Sequence, residues 1–528
     1  VKKSILISAL TVFAFIALAP VVAVITDSLI HNGRLSLESY RSILADDRQI
    51  ELFINSLVLS GGTALFSLII GVPSGFLLSR TDLYFRKYLL WLCLIPLIIP
   101  PYIHAITWIY LLGTKGRINM MIGNLFSLND FFFNSYNIYG MKGAILVLTL
   151  SYFPVITILT ISGLSAMNRE LEEAGTIISS DFYVLRKITL PLILPNIIGG
   201  TILVLIFSVL NYGVPSLLRL NTYPVEIFAR FSAFYDAKGA VALTLPLMLM
   251  TFILTGFQYY CMKDRPYITV GSDTKTPRPF NLGYGKIPAA GFLIVVILLS
   301  AVFPIVTLII ESGSLKAYQV AFKTAYPQIV ASFVLSATAA SLTVMLAFFL
   351  SYTSEKSDWK GRHLIDFFSF IPFAVPGAIL GIGLIRIWNR PAADFIYESS
   401  GIVIFAYIAR FSPFAVKAIS ANLRQIHPHL EEAAALSGVS WIKQILKIVM
   451  PLTAPGMTAG WIITFIFCMG ELSATLLVIP PGETTLSVRI YTVMHYGAGN
   501  LVACLCLMLI VITLIPIFFL RYVSYSRK

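Results

Sequence analysis

Long apolar runs separated by short polar stretches divide this chain from end to end. Runs longer than about 18 residues recur, and each is long enough to cross a bilayer as a helix. The pattern predicts twelve spans. In the first half they are Ile5–Ile25, Phe53–Leu78, Tyr88–Leu112, Gly140–Leu164, Leu192–Leu218 and Gly239–Cys261. In the second half they are Ile287–Ile310, Ile329–Tyr352, Leu364–Trp388, Gly401–Ser420, Ala454–Ile479 and Leu501–Phe519. The expected fold class is all-α, a polytopic membrane protein, because backbone polar groups find no water in lipid and helices satisfy them internally. Basic residues mark one side. Lys2 and Lys3 precede the first span, Arg80, Arg86 and Lys87 follow the second, Lys356, Lys360 and Arg362 follow the eighth, and Arg521, Arg527 and Lys528 close the chain. Retention of Lys and Arg on the cytoplasmic side then puts both termini inside. A basic start before an apolar run also suits a secretory signal. This run is longer than a signal core and further spans follow, so it reads as the first span.

One stretch breaks the pattern. Residues Lys263 to Lys286, KDRPYITVGSDTKTPRPFNLGYGK, are rich in Pro, Gly, Ser, Thr and Lys. No apolar period survives there, which predicts a solvated cytoplasmic linker. It separates a first repeat, 1–262, from a second, 287–528. Pro96 and Pro100 match Pro372 and Pro376 in spacing, and Ile54-Asn-Ser-Leu-Val-Leu-Ser60 matches Val330-Ala-Ser-Phe-Val-Leu-Ser336. Each copy begins inside and holds an even number of spans, so the two run in the same sense. Such repeats build a pathway at their interface. Between spans three and four, Thr114 to Tyr139 reads as an outer segment with a short re-entrant helix at Ile118 to Phe126.

Composition narrows the class. Of 528 residues, 57% are hydrophobic and 12% charged, against about 25% charged in soluble domains. The net charge of +13 comes without a basic low-complexity run, so membrane topology accounts for it and nucleic acid does not. The five cysteines, Cys93, Cys261, Cys468, Cys504 and Cys506, fall in or beside apolar runs and read as small packing residues. No G-x-x-x-x-G-K-[ST] sequence offers a phosphate loop, no Cys/His set has zinc spacing, and Gly-x-Ser-x-Gly is absent. No catalytic residues are assigned, and any chemistry on a bound nucleotide is expected to come from another chain.

Four polar residues inside spans are candidates for a translocation path. Glu471, in Cys468-Met-Gly-Glu-Leu-Ser-Ala-Thr475, lies twenty residues past Pro451, and the same count from Pro191 reaches Asn211. An intramembrane carboxylate needs a partner or water, and Arg410 in span ten is the candidate ion-pair partner. His104 follows Pro100 and Pro101, which free backbone carbonyls in a membrane helix. Glu471 and His104 each have a second reading as a helix-packing hydrogen bond. For His104, bonded to a neighbouring helix, that reading is favoured; for Glu471 the residues leave both open. No firm metal ligand emerges, Glu471 being at most a transient one.

A short polar island between two long apolar runs is His427 to Pro455, HPHLEEAAALSGVSWIKQILKIVMPLTAP. Pro428 suits a first helical turn and Gly438 the left-handed residue past a helix end. Glu431 and Glu432 fall where the helix dipole favours negative charge. Ala433 and Ala434 leave a smooth face, and a second short helix is expected from Ser440 to Val449. Composition alone leaves open a reading as a plain surface elbow between two spans. Its spacing, Glu432-Ala433-Ala434, Gly438 and Ile448-x-Met450-Pro451, resembles the EAA loop of ABC importer permeases. A weaker copy is Leu171-Glu172-Glu173-Ala174-Gly175 with Ile188-Thr189-Leu190-Pro191, one residue shorter, with Ile178 or Ser179 where the family has glycine. Asn168 suits its N-cap.

Further stretches resemble the fused permeases of ferric-iron importers: Leu94-Ile-Pro-Leu-Ile-Ile-Pro-Pro-Tyr102, Gly470-Glu-Leu-Ser-Ala-Thr-Leu-Leu477, Pro480-Pro-Gly482 and His495-Tyr-Gly497. The resemblance implies a type I importer-like subunit in a bacterial inner membrane, moving ferric iron by alternating access. It implies coupling loops near 168–191 and 427–451, with Glu172, Glu173, Ala174, Glu431, Glu432, Ala433, Ala434 and Gly438 meeting a homodimer of ATPase subunits. It also implies a solute-binding protein outside, surrounding lipid, no nucleic acid, and no cofactor in this chain, ATP and magnesium residing on the ATPase. Permeases for thiamine, phosphonate, polyamine and sulfate share the architecture. An ion-driven secondary transporter is the reading from another class; it calls for paired intramembrane acids and no docking loops.

Overall fold

The computed structural model describes residues 2–31, 34–35, 46–126, 137–167, 177, 180–262, 280–357 and 359–526. The first half contains α1 (Lys2–Leu29), α2 (Asp47–Arg80), α3 (Arg86–Leu94), α4 (Pro101–Leu112), α5 (Arg117–Phe126), α6 (Met141–Ser165), α7 (Leu185–Val209), α8 (Gly213–Leu217), α9 (Tyr223–Ser232) and α10 (Lys238–Gln258). The second contains α11 (Gly283–Ser312), α12 (Leu315–Lys356), α13 (Arg362–Phe370), α14 (Gly377–Trp388), α15 (Gly401–Leu423), α16 (His429–Leu436), α17 (Trp441–Gly470), α18 (Thr475–Val478), α19 (Leu486–Tyr496) and α20 (Gly499–Phe518). A two-residue strand pair, Ile30–His31 with Arg34–Leu35, follows α1. Among the described residues ten helices are long and apolar enough to cross a membrane.

Spans three and nine are broken rather than continuous. Residues Arg86–Leu97 and Pro101–Met121 bend by 93° at the intervening prolines. Pro101 forces Pro100 out of the helical region, and Pro100 has φ −53° and ψ 139°. Pro376 has φ −51° and ψ 140° before α14. The repeated prolines therefore repeat a backbone break. Spans five and eleven also stop early, at Val209 and Gly470, and short helices α8 and α18 follow.

The halves interlock. In α14, a Cβ on Gly383 would lie 2.4 Å from the Pro20 carbonyl oxygen of α1. Phe15 packs edge-on against Trp388 at 5.3 Å, and Arg386 Nε lies 2.8 Å from Asp27. Reciprocally, Leu308 of α11 is buried in one cluster with Ile103 and Ile106 of α4. The first span of each repeat thus packs on the other repeat.

The end of the linker region is not a free connector. Phe280 N–H donates to the Arg80 carbonyl at 2.7 Å, Asp82 N–H donates to the Phe280 carbonyl at 3.2 Å, and Lys286 Nζ lies 2.6 Å from Asp82. Residues 263–279 fall outside the described part. At the opposite end, Ser56 Oγ accepts from Tyr223 N–H at 2.9 Å, and Ser332 Oγ accepts from Leu486 N–H. The matched serines hang α9 and α19 from α2 and α12 in the same way.

Candidate functional site

Asn211 and Glu471 occupy the same structural position in the two halves. Each follows the end of a long helix and caps the short helix after it. Asn211 Oδ1 accepts from Val214 N–H at 2.9 Å; Glu471 Oε1 accepts from Ala474 N–H at 2.8 Å and from Ser473 Oγ at 2.9 Å. A side-chain oxygen bonded three residues on satisfies an amide that a helix start leaves open. The depth match in the sequence is therefore a shared break in the helix.

The second oxygen of Glu471 lies 3.0 Å from Arg410 Nε, with side chains 7% and 9% exposed. The Nε approach is off the hydrogen-bond axis, so this is a charge contact. Arg410 Nη1 also donates to the Val375 carbonyl at 3.4 Å. Gly377 makes room: a Cβ there would lie 2.2 Å from Ser473 Oγ and 2.7 Å from Arg410 Nη1. In the first half Asn211 Nδ2 donates to Tyr152 Oη at 3.1 Å.

These groups line one cavity of about 150 Å³ at the interface of the repeats. Its polar wall is Ser151, Tyr152, Asn211, Tyr212, Arg410, Glu471 and Ser473, and Pro96, Pro100 and Pro101 of the broken third span form another side. A second cavity of about 180 Å³, almost wholly apolar, adjoins it, with Lys417 at its wall. Leu97, Phe207, Ile466 and Phe467 line both. Phe207 and Phe467 meet at a ring-centroid distance of 6.1 Å. Phe373 and Phe414 pack on Phe207 at 5.4 and 6.0 Å, and Phe414 on Phe467 at 4.8 Å. The second cavity lies toward the loop 427–451, because its residues Lys417 and Ala418 approach the end of α15 that leads there. An aromatic layer therefore closes the polar chamber on that side. Lys417 Nζ lies 2.6 Å from Asp366.

The structure brings together Glu471, Arg410 and Asn211, and sets His104 apart. His104 is fully buried in α4 but is not in the chamber wall. Its ring lies near the Pro96 carbonyl. No well-formed hydrogen bond to either ring nitrogen results. It is not the interhelical hydrogen bond expected; the ring stays close to its own broken span. Sequence reasoning missed Tyr152, Ser473 and the two phenylalanines. The count from Pro191 and Pro451 that found Asn211 and Glu471 also reaches Phe207 and Phe467, sixteen positions on.

At the loop, α16 ends as the glycine spacing predicts. Gly438 has φ 74°, Gly438 N–H donates to the Ala435 carbonyl at 3.0 Å, and Val439 N–H donates to the Ala434 carbonyl at 3.1 Å. This left-handed cap satisfies the last carbonyls. Ala434 is the one described residue of α16 that is buried. The expected second short helix is not separate. Trp441–Gln444 runs through a wide turn, Ile445–Val449, into the rest of α17. Met450 N–H bonds back to the Ile445 carbonyl, a spacing that carries the helix past Pro451. Leu190 N–H bonds to the Leu185 carbonyl in the same way before Pro191. Glu172, Glu173 and Ala174 lie outside the described residues.

Comparison with known proteins gives matches along both halves. The family described as binding-protein-dependent transport system inner membrane component matches residues 67–264 and 342–527. A putative ferric transport system permease protein, FbpB 1 of Haemophilus influenzae, is 25% identical over 525 residues, covering 94% of this chain and 80% of that protein. The ferric transport system permease protein FbpB of Actinobacillus pleuropneumoniae is 24% identical, covering 99% and 78%. A putative 2-aminoethylphosphonate transport system permease protein, PhnV of Salmonella typhimurium, is 28% identical over only 30% of this chain and 58% of its own length.

Proposed function

We propose, from the premise that this chain belongs to the family of binding-protein-dependent transport system inner membrane components, that its cargo is ferric iron. The chain is the membrane permease of an ABC importer. A binding protein outside would deliver the iron, and two copies of an ATPase would dock on the loops 168–191 and 427–451 from the cytoplasm, where both termini would also lie.

The observation that carries the cargo is the reach of the ferric permeases across both repeats, whereas the phosphonate permease matches less than a third of the chain. The chamber suits that cargo. It presents hard oxygen groups from Glu471, Tyr152, Tyr212 and Ser151. Its carboxylate is paired with Arg410, which offsets the charge that would otherwise hold a trivalent cation. Among the described residues no three His, Cys, Asp or Glu side chains cluster as metal ligands. These features favour passage over retention. Iron would enter the chamber from the binding protein and leave when the phenylalanine layer parts.

The test is ATP hydrolysis by the reconstituted complex, with the ferric-loaded binding protein compared against proteins loaded with thiamine, phosphonate, polyamine or sulfate. Stimulation by the ferric form alone is expected. Stimulation by another cargo, without response to iron, overturns the assignment.

A further inference from the structure

The two adjacent glutamates of the loop 427–451 point to different places. The Glu432 side chain is 63% exposed and touches the still more open His429 at 2.9 Å. Glu431 is 17% exposed and turns inward. Its Oε2 accepts from Tyr352 Oη at 2.7 Å, and its Oε1 lies 3.4 Å from Lys356 Nζ. Tyr352 Oη in turn accepts from Trp441 Nε1 at 3.2 Å, and Lys356 Nζ donates to the Ile426 carbonyl at 2.8 Å. Tyr352 and Lys356 are one turn apart at the end of α12, Ile426 precedes α16, and Trp441 opens α17.

We infer that Glu431 is a positioning residue that fastens α16 to the end of α12, and that Glu432 alone of the pair faces the partner. The inference rests on the reading of this loop as the ATPase dock. Mechanically, α12 is a 42-residue helix whose neighbours are the walls of the chamber. Ser351 Oγ donates to the Val416 carbonyl of α15 at 3.0 Å, the helix that carries Arg410. Trp461 Nε1 of α17 donates to Ser341 Oγ at 3.0 Å, and Glu471 directly follows the end of α17. Farther along, Ser332 holds the start of α19. A push on α16 therefore reaches α12 through a charged, largely buried joint, and α12 reaches both members of the Arg410–Glu471 pair. The first repeat has Phe76 and Arg80 where the second has Tyr352 and Lys356. A phenylalanine has no hydroxyl to offer, so this joint belongs to the second loop.

The experiment uses the full chain purified with its ATPase, and reads two quantities: ATPase retained, and uptake per ATP hydrolysed. Glu432→Ala should loosen retention by about tenfold, the scale of one lost charged hydrogen bond. Glu431→Ala and Tyr352→Phe should retain the ATPase within about twofold yet lower uptake per ATP by about fivefold or more, since each removes a hydrogen bond to a charged group. Glu431→Gln keeps an acceptor for the Tyr352 hydroxyl and should recover most of that loss. A merely structural defect would lower the amount of chain in the membrane without changing the ratio. Release of the ATPase by Glu431→Ala as complete as that by Glu432→Ala overturns the inference, as does an unchanged ratio in Tyr352→Phe. A parent chain that retains no ATPase refutes instead the reading on which it rests.

Discussion

Phe207 and Phe467 stand at equal distances past Pro191 and Pro451, and their rings meet at 6.1 Å between two cavities. Equivalent residues of a repeat meet only near the axis that relates its copies. The closure is thus made by the symmetry of the chain. Four positions on, one helical turn toward the chamber, the same axis has Asn211 in one half and Glu471 in the other. The Phe207–Phe467 pair is symmetric, whereas Phe373 and Phe414, both from the second half, and the charge beyond the pair are not.

Shortening the phenylalanines should open the chamber toward the loops. With the native cysteines replaced and a single thiol placed at Ser151, an impermeant thiol reagent added on the loop side should label the Phe207→Ala and Phe467→Ala chains and spare the parent. Each substitution should also cost about 3–5 kcal/mol of stability if the packing does not collapse. Equal labelling of parent and variants would show that these rings do not close the path.

The Arg410–Glu471 pair should behave as a unit. Removing one partner of a buried pair costs about 3–5 kcal/mol, and Glu471→Gln should approach the lower bound because an amide oxygen can still cap Ala474. Glu471→Gln combined with Arg410→Gln should recover much of the thermal stability, measured in detergent, without recovering uptake. Additive losses would mean that the two residues act separately.

Much of this was legible in the sequence, and for stated reasons. The repeat and most spans came from apolar run length and from prolines, but not their number: twelve were expected, whereas among the described residues ten helices are long and apolar enough to cross, or eleven with the bent third span, because the proline break leaves Gly377–Trp388 short. Gly438 was legible because only a left-handed turn requires glycine there. The common depth of Asn211 and Glu471 was legible by counting, but not its meaning. Capping of Ala474 N–H by Glu471 and of Val214 N–H by Asn211 depends on where the backbone turns. The packing of α1 on α14 was also hidden, because an apolar run carries no label for its partner. Glu431 and Glu432 are adjacent letters with the same chemistry; only the helix azimuth separates them.

Gly377→Ala should disturb the chamber from outside its wall. The added Cβ would collide with Ser473 and Arg410, and overpacking of this kind costs about 1–3 kcal/mol. Uptake should fall more than the amount of folded chain, as read by size-exclusion profile and uptake on one preparation. Parallel losses would make Gly377 a packing residue only.

The Phe280–Lys286 stretch should matter where residues 263–279 do not. A chain cut within 263–279 and expressed as two pieces should still transport, whereas deletion through Lys286 should not. The Lys286 ammonium beside Asp82 holds its carboxyl below the usual carboxylate range. A depressed carboxyl contributes above its unfolded pKa of about 3.9 and loses its contribution as pH falls through the lower folded value. The difference in co-purification between the parent pieces and pieces carrying Lys286→Ala should therefore be constant from neutral pH to about 5 and shrink only below about 4. Loss of that difference between pH 7 and 6 would assign the clamp to other groups.

Passage of ferric iron through the chamber bounded by Glu471, Arg410 and the phenylalanine layer ties the cargo to the structure. Its most direct test is accumulation of radiolabelled ferric iron in proteoliposomes holding the permease, its ATPase and the ferric binding protein. Parent chain and Glu471→Gln should be compared at equal amounts and limiting iron. ATP-dependent uptake by the parent, with at least about a tenfold fall in the variant while ATPase docking persists, is the predicted result, on the scale of one lost charged interaction. Uptake by Glu471→Gln equal to that of the parent would contradict this route.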